Sequence, residues 1–196
     1  MLVDQTALAT QSLLKRQGRG DRVIKIENDR LYLREMTNED ISNLERILKD
    51  AETMYAYEAS FTDSQVLSWL QWNMASYRTH GFGLWAAIDK GTSQFVGQCG
   101  IVFSEVEGEA LLEVGYLINK NFWGQGYARE ASGLCVAYAR DTLKAPKIAS
   151  IIRDTNLASR RVAEYNQMEI VHEYDKDYSG VAVRHLVYSI NFVEKL

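Results

Sequence analysis

One stretch limits the folds open to this 196-residue chain more than any other. Residues 110–118, ALLEVGYLI, are apolar on both faces of an extended chain apart from Glu113. Side chains alternate along a strand, so a one-sided strand shows polar residues at every second place, and a strand apolar throughout has both faces covered. The stretch is therefore expected at the centre of a sheet. GLWAAID at 83–89 and SQFVGQCGIVF at 93–103 read as two further strands, joined by the short, glycine-bearing KGT as an antiparallel hairpin requires.

Helical signals surround these strands. Thr37 precedes TNEDISNLERILKDA as an N-cap with Asp40 three residues on, and Ile41, Leu44, Ile47, Leu48 and Ala51 fall on one face. Thr62 and Gln65 repeat the arrangement ahead of a stripe of Val66, Trp69, Leu70, Met74 and Tyr77. Ahead of both, RVIKIENDRLYLREM alternates around a polar turn, as two short strands or one bent one. Beyond the central strand, Ala131, Leu134, Cys135 and Tyr138 recur at helical spacing, Pro146 leads into the strand KIASII, a helix is expected over 157–168, and two strands close the chain. The expected order is strand, two helices, three strands, helix, strand, helix, two strands: a mixed α/β (α+β) sheet with an antiparallel centre. Residues 1–20 form an extension with an amphipathic pattern, cut off by the glycines of QGRGD, and 21–196 form one domain, as 46% hydrophobic content at this length suggests.

Composition narrows the functions. A net charge of −4 argues against a nucleic-acid partner, which calls for a basic face. Cys99 and Cys135 lie far apart without ligand spacing and read as small core hydrophobes, while His80, His172 and His185 show no metal pattern, so no metal is expected. No apolar run reaches the roughly 18 residues of a membrane span, and the N-terminal charge order is the reverse of a secretory signal, so neither membrane nor export is expected and the protein reads as cytoplasmic.

The stretch NKNFWGQGYARE follows the central strand. Gly124 and Gly126 can let backbone N–H groups converge just where a helix begins, and helix N-termini favour anions. Glycines between a strand and a helix can equally just make the turn. Neither nucleotide signature fits: no Lys-Ser/Thr follows Gly126, and Arg129 stands where a dinucleotide fingerprint needs its third glycine. Arg129 is in a first turn, where a cation opposes the helix dipole unless an anion lies near or the side chain swings away.

Taken together, LLEVGYLINKNFWGQGYARE resembles the acetyl-CoA-binding motif of the GNAT N-acetyltransferase superfamily, and EVGY with WGQGYA resembles its RimJ/RimL ribosomal-protein acetyltransferase type. NLASRRVAEYNQM is similar to the family's second motif, and NDRLYLREMTNEDI to its opening strand and helix, so the resemblance spans about 28–192. Asn121 stands where the family often has Arg or Gln. Tyr165, Gln167 and Met168 replace a Lys, Gly and aromatic at the end of the second motif, which suggests a differently shaped helix end.

The resemblance implies a GNAT-like sheet flanked by helices and splayed between the fourth and fifth core strands, counting the first two short strands as one. It implies acetyl-CoA as cosubstrate: backbone groups around Leu117 and Ile118 on the pantetheine arm, the pyrophosphate over Asn121, Trp123, Gly124, Gln125, Gly126, Tyr127, Ala128 and Arg129, and Lys120, Arg129 or Arg160 near the 3′-phosphate. Independently of it, acetyl transfer needs a neutral amine, and an alkyl amine of pKa about 10.4 is protonated at neutral pH. Glu113, the one acid in an apolar strand, is the candidate base, its pKa raised by burial and its proton carried through water; the alternative is a carboxylate turned to solvent or to a structural Arg. Asn156 matches the family's Asn and serves the cofactor or the amine, or else caps its helix. Ser159 matches the family's Ser and would help protonate the departing thiolate, directly or by water. Ala163 occupies the place where many members carry an acidic Tyr.

Tyr55, Tyr57, Phe61, Trp69, Trp72, Tyr77, Phe82 and Trp85 read mostly as core, with Tyr55, Tyr57 and Phe61 placed to form a substrate wall. The reaction expected is acetyl transfer from acetyl-CoA to a primary amine, a protein N-terminus or a small molecule. A non-catalytic acyl-CoA-binding module is the alternative, and a phosphotransferase lacks its Lys-Ser/Thr. A homodimer is the expected assembly.

Overall fold

A computed structural model describes residues 24–57, 59–178 and 180–192, so the extension at 1–20 lies outside the described residues. In chain order the elements are β1 (Ile24–Glu27), β2 (Leu31–Arg34), α1 (Ile41–Leu48), α2 (Asp63–His80), β3 (Leu84–Asp89), β4 (Phe95–Val106), β5 (Glu109–Ile118), α3 (Tyr127–Asp141), β6 (Lys147–Arg153), α4 (Leu157–Tyr165), β7 (Glu169–Tyr178) and β8 (Val181–Asn191). They build one eight-stranded sheet of order β1-β2-β3-β4-β5-β6-β8-β7. Every pairing is antiparallel except that of β5 with β6.

The second cap forms as the sequence indicates and the first in part, the buried Thr37 hydroxyl having no hydrogen-bond partner among the described residues. Asp40 accepts from the Thr37 N–H at 2.8 Å, although the first turn it closes is the 3-10 segment Asn38–Asp40 rather than α-helix. Asp40 also takes both ends of the Arg34 guanidinium, at 2.8 and 2.7 Å, in a fully buried pair that ties β2 to the start of α1. Thr62 and Gln65 exchange backbone bonds at the head of α2.

Helices cover both faces of the sheet. On one, Leu44, Ile47, Leu48, Val66 and Leu70 pack on Leu84, Ala86 and Ile88. On the other, Ala131, Cys135, Ala139 and Ala163 pack on Leu31, Leu33, Trp85 and Ala87. The free cysteines Cys99 and Cys135 belong to this second layer, with sulfurs 3.6 Å apart. It is β3, with all six residues buried, that shows the two-sided burial expected of β5. Central as it is, β5 is half-buried over most of its length, because the sheet opens beside it.

That opening starts at Glu113. Only Glu113 and Ala149 pair between the parallel strands β5 and β6, and toward Ile118 the two separate. This is the splay between the fourth and fifth core strands when β1 and β2 count as one. Side chains replace the missing ladder at the vertex: the Ser150 hydroxyl donates to the Val114 carbonyl at 3.0 Å, and the Ile151 N–H donates to the Glu113 carboxylate at 3.3 Å.

Two expectations change. α4 stops at Tyr165 rather than 168. Gln167 adopts the left-handed φ of 60° that a glycine would take there, and the Met168 N–H closes onto the Ala163 carbonyl at 3.0 Å. The helix end thus keeps the shape of a glycine-terminated one, at a backbone cost of roughly 1–2 kcal/mol. Trp72, read as core, is 47% exposed, whereas Trp85 is wholly buried.

Candidate active site

The splay forms the mouth of a cavity of about 1400 Å³, walled by β5, β6, the 55–61 connection, the glycine loop, the start of α4, and the β7–β8 hairpin. At one end stands the glycine loop. The N–H of Asn121 donates to the Asn119 side chain at 3.0 Å, that of Phe122 to the Asn119 carbonyl and that of Trp123 to the Lys120 carbonyl. From residue 124 to residue 129 no backbone N–H has an acceptor among the described residues, and the first helical bond is Glu130 N–H to Gly126. Gly124 and Gly126, at φ 72° and 86°, give the turn its shape. Six successive open donors at the positive end of a helix 15 residues long form a geometry that favours an anion.

The cradle is braced from behind by residues the sequence reading passed over. Arg30, in the β1–β2 turn, donates to the Gln125 carbonyl at 2.8 Å and to Glu130 at 2.7 Å, and lies 3.9 Å over the Tyr127 ring. The Tyr127 hydroxyl donates to buried Asp89 at 2.8 Å, so only its backbone faces the cradle. Gln125 spends its amide on the Asn121 carbonyl at 3.2 Å. Arg129 escapes the dipole conflict by lying 4.3 Å over the Tyr165 ring.

Several expected contacts are placed differently. The Asn119 N–H bonds Val96, and the regular β4–β5 register then turns the backbone groups of residues 113, 115 and 117 toward β4, and those of Val114, Tyr116 and Ile118 toward the wedge. Leu117 therefore reaches the cavity with its side chain rather than its amide. The Ile118 carbonyl already accepts the Trp123 indole N–H at 2.7 Å. The backbone N–H of Asn121 is already taken by the Asn119 side chain. Lys120 is paired with Asp50 at 2.7 Å and Glu52 at 3.0 Å, and Arg160 donates to Tyr188 and the Asp154 carbonyl, so neither is poised over the cradle.

Midway along the cavity Asn156 caps α4, its Oδ1 accepting from the Ser159 N–H at 3.1 Å and from the Tyr55 hydroxyl at 2.7 Å. The capping reading is thus realised, with Tyr55 reaching across from the connection before α2. Tyr55 meets Trp123 edge-on, ring centroids 6.2 Å apart, so the acceptor wall touches the glycine loop. The Tyr116 hydroxyl donates to the Ser159 carbonyl at 3.3 Å, and burial above all pushes this phenol far up, so it stays protonated.

Glu113 occupies the vertex. Burial, as the largest influence, raises its carboxyl above the ordinary glutamate value, against the opposing Ser104 hydroxyl, the Ile151 N–H and the Lys176 charge. The Ser104 hydroxyl donates to it at 2.5 Å. It is half-buried, lines the cavity, and has no arginine partner among the described residues. Tyr57 overhangs it, its phenol pushed up to about 12 by burial first and by Glu113 and Tyr178 second. Among the described residues no group of His, Cys, Asp and Glu side chains could hold a metal, and no helix is long and apolar enough to cross a membrane.

A splayed sheet with open N–H donors at its mouth and a half-buried carboxylate at its vertex is the architecture of the GNAT fold. A model of the Acetyltransferase (GNAT) domain matches residues 30–169, and the chain belongs to this family: it is an acetyltransferase. It is 38% identical over 141 residues to the uncharacterized protein YkkB of Bacillus subtilis (strain 168), covering 71% of this chain and 82% of that protein. A GNAT-family acetyltransferase from Bacillus anthracis superposes with a TM-score of 0.72 at 25% identity, covering 86% of this chain and 97% of that one. RimL, a ribosomal L7/L12 alpha-N-protein acetyltransferase, shares the fold with a TM-score of 0.73 at 13% identity, over 89% of this chain and 98% of its own.

Proposed function

We propose that this acetyltransferase moves the acetyl group of acetyl-CoA onto a primary amine held over Glu113. The observation that carries this reading is the run of open N–H donors at 124–129, in residues that line the same cavity as Glu113, whose carboxyl is raised above the ordinary glutamate value. The residues fit the donor substrate: the cradle suits a pyrophosphate, and the wedge-facing backbone groups of Tyr116 with the N–H of Ile118 suit the amides of an extended arm. Acetyl-CoA supplies the acetyl group as a thioester.

The rest is the work of the chain. Glu113 takes a proton from the acceptor amine, directly or through water, so that the nitrogen can form its bond to the carbonyl carbon as the carbon–sulfur bond breaks. A wedge-facing N–H of β5 polarises the carbonyl. The departing thiolate, of ordinary pKa about 8.5, leaves without an acid as strong as itself. Ser159, which lines the cavity, offers it a hydroxyl hydrogen bond, and its proton comes from water. Asn156, fixed by its cap bond and by Tyr55, keeps its Nδ2 donor for the donor arm or the amine.

The test is a heat-stability scan with acetyl-CoA, with ATP and NAD as controls. At about 100 times its dissociation constant, acetyl-CoA should add about 2.7 kcal/mol. A shift with acetyl-CoA alone, followed by thiol release with an amine panel that is lost in Glu113→Gln, supports the reading; no shift in folded, CoA-free protein overturns it.

A further inference from the structure

We propose that the acceptor is a small amine that also carries an anionic oxygen group, a carboxylate or a phosphate, with the anion held by Arg153 and Lys176 while the amine faces Glu113. This inference rests on the acetyltransferase reading of the same cavity.

The charge of the wall runs against that of the chain. The sequence carries a net −4, yet among the described residues the cavity is lined by Arg129, Arg153, Arg161 and Lys176 against Glu105 and Glu113. Glu105 pairs with Ala110 in the β4–β5 register and Glu113 with Val102, one residue out of phase, so their side chains leave opposite faces of the sheet. Arg129 and Arg161 sit on α3 and α4, beside the cradle. Arg153 and Lys176 come from the far half of the sheet. Arg153 pairs with His185, Tyr174 with His185 and Lys176 with Val183, which sets Arg153, Tyr174, Lys176 and His185 on one face.

Neither of these two cations has a carboxylate partner among the described residues. Both lie against the Tyr178 ring, Arg153 at 4.7 Å and Lys176 at 5.2 Å from its centroid. The Arg153 Nε–H is buried and has no hydrogen-bond acceptor. Leaving such a donor unmet is unfavourable, and the N–H groups of a guanidinium form the fork that matches an oxyanion. His185 does not compensate them. Its Nδ1 lies 2.8 Å from the Val183 carbonyl, where it donates, and Nε2 lies 3.3 Å from the Tyr178 hydroxyl, where it accepts, the arrangement of a neutral ring. Lys176 is close enough to act on the Glu113 carboxyl, so anion site and base share one chamber.

Bulk cationic acceptors fit poorly here. A polyamine or aminoglycoside would set further positive charge beside Arg153 and Lys176. An amino acid or an amino phosphate brings one amine for Glu113 and one anion for the pair.

Matched acceptors test this: glycine against glycinamide, β-alanine against β-alaninamide, and phosphoethanolamine against ethanolamine, each with acetyl-CoA and CoA release as the readout. The wild type should use the anionic member of at least one pair about 10- to 100-fold better in kcat/KM. The better pair tells carboxylate from phosphate. Arg153→Gln and Lys176→Gln should each cut that ratio about tenfold, through KM, while Lys90→Gln, outside the cavity, leaves it unchanged. Equal or better use of the uncharged members, a ratio unmoved by both substitutions, or no turnover of any anionic amine by protein that acetyl-CoA stabilises would each overturn the proposal. Failure of acetyl-CoA to stabilise the protein would instead remove the acetyltransferase reading beneath it.

Discussion

The two ends of the cavity are built from different materials. At the cradle the groups facing the cavity are backbone N–H donors of one continuous segment, 124–129, braced by Arg30 from a distant turn. At the far end they are side chains from scattered places: Glu113 and Ser104 on adjacent strands, Tyr57 from a connection, Arg153, Lys176, Tyr178 and His185 from three strands that follow the splay. A backbone site tolerates changes of side chain and is sensitive to changes of φ; a side-chain site is the reverse. The first suits a donor whose phosphates and amides never vary, and the second can be retuned to a new acceptor without disturbing the donor.

The largest effect should come from the far end. Glu113→Gln should lower kcat by about 10²–10⁴-fold, the usual contribution of a general base, while the acetyl-CoA-induced shift in melting temperature persists. Loss of both together would break the division of labour. With an acceptor amine of low pKa, the acidic limb of the rate profile should report a group above the ordinary glutamate value, absent in the variant. The same raised carboxyl carries a sign for stability. A carboxyl whose folded pKa exceeds its unfolded one binds the proton more tightly in the folded state, so its contribution is full below the unfolded value and is lost as pH rises through the folded one. Denaturant titrations from acid to neutral pH should show that loss in the wild type and not in Glu113→Gln.

Of similar size, but in stability rather than rate, is the scaffold beneath both ends. Asp40→Ala strands the buried Arg34 guanidinium and should cost about 3–5 kcal/mol by denaturant unfolding. Smaller, and aimed at the cradle, is Gly126→Ala. Gly126 sits at φ 86° with the nearest atoms to a new Cβ at 3.5 Å, so the methyl fits and the backbone does not. The strain of about 1–2 kcal/mol should appear as acetyl-CoA affinity weakened several-fold to about 30-fold in calorimetry, with the acceptor preference unchanged. The smallest is Tyr55→Phe, which removes the bond to Asn156 that joins the two ends. About 0.5–1.5 kcal/mol is expected, shared between donor and acceptor KM values; an effect on one alone would show that Tyr55 belongs to that end only.

The candidate site was legible in proportion to how local its chemistry is. Gly124 and Gly126 are two letters apart, and their effect on the following six N–H groups needs nothing from elsewhere in the chain. Glu113 was conspicuous because a carboxylate in an apolar strand has few explanations. Arg30 was invisible as a brace because its partners lie 95 and 100 residues away. Nothing in the sequence links Arg153 to Lys176; only the β6–β8–β7 register sets them on one face. Leu117 was misjudged as a backbone contact for a related reason. Which of two neighbouring residues turns its amide to the wedge depends on pairing with β4, and a shift of one residue reverses the answer.

By itself the sequence determined the elements and their order, the capped starts of α1 and α2, the family and the place of the cradle, because periodicity, capping and backbone conformation act over a few residues. Only the tertiary structure decided where the sheet parts, that β3 rather than β5 is the strand buried on both sides, that Gln167 takes a glycine's conformation, and which charges meet in the cavity. Those outcomes depend on register and burial, free energies that exist only once distant segments share a boundary.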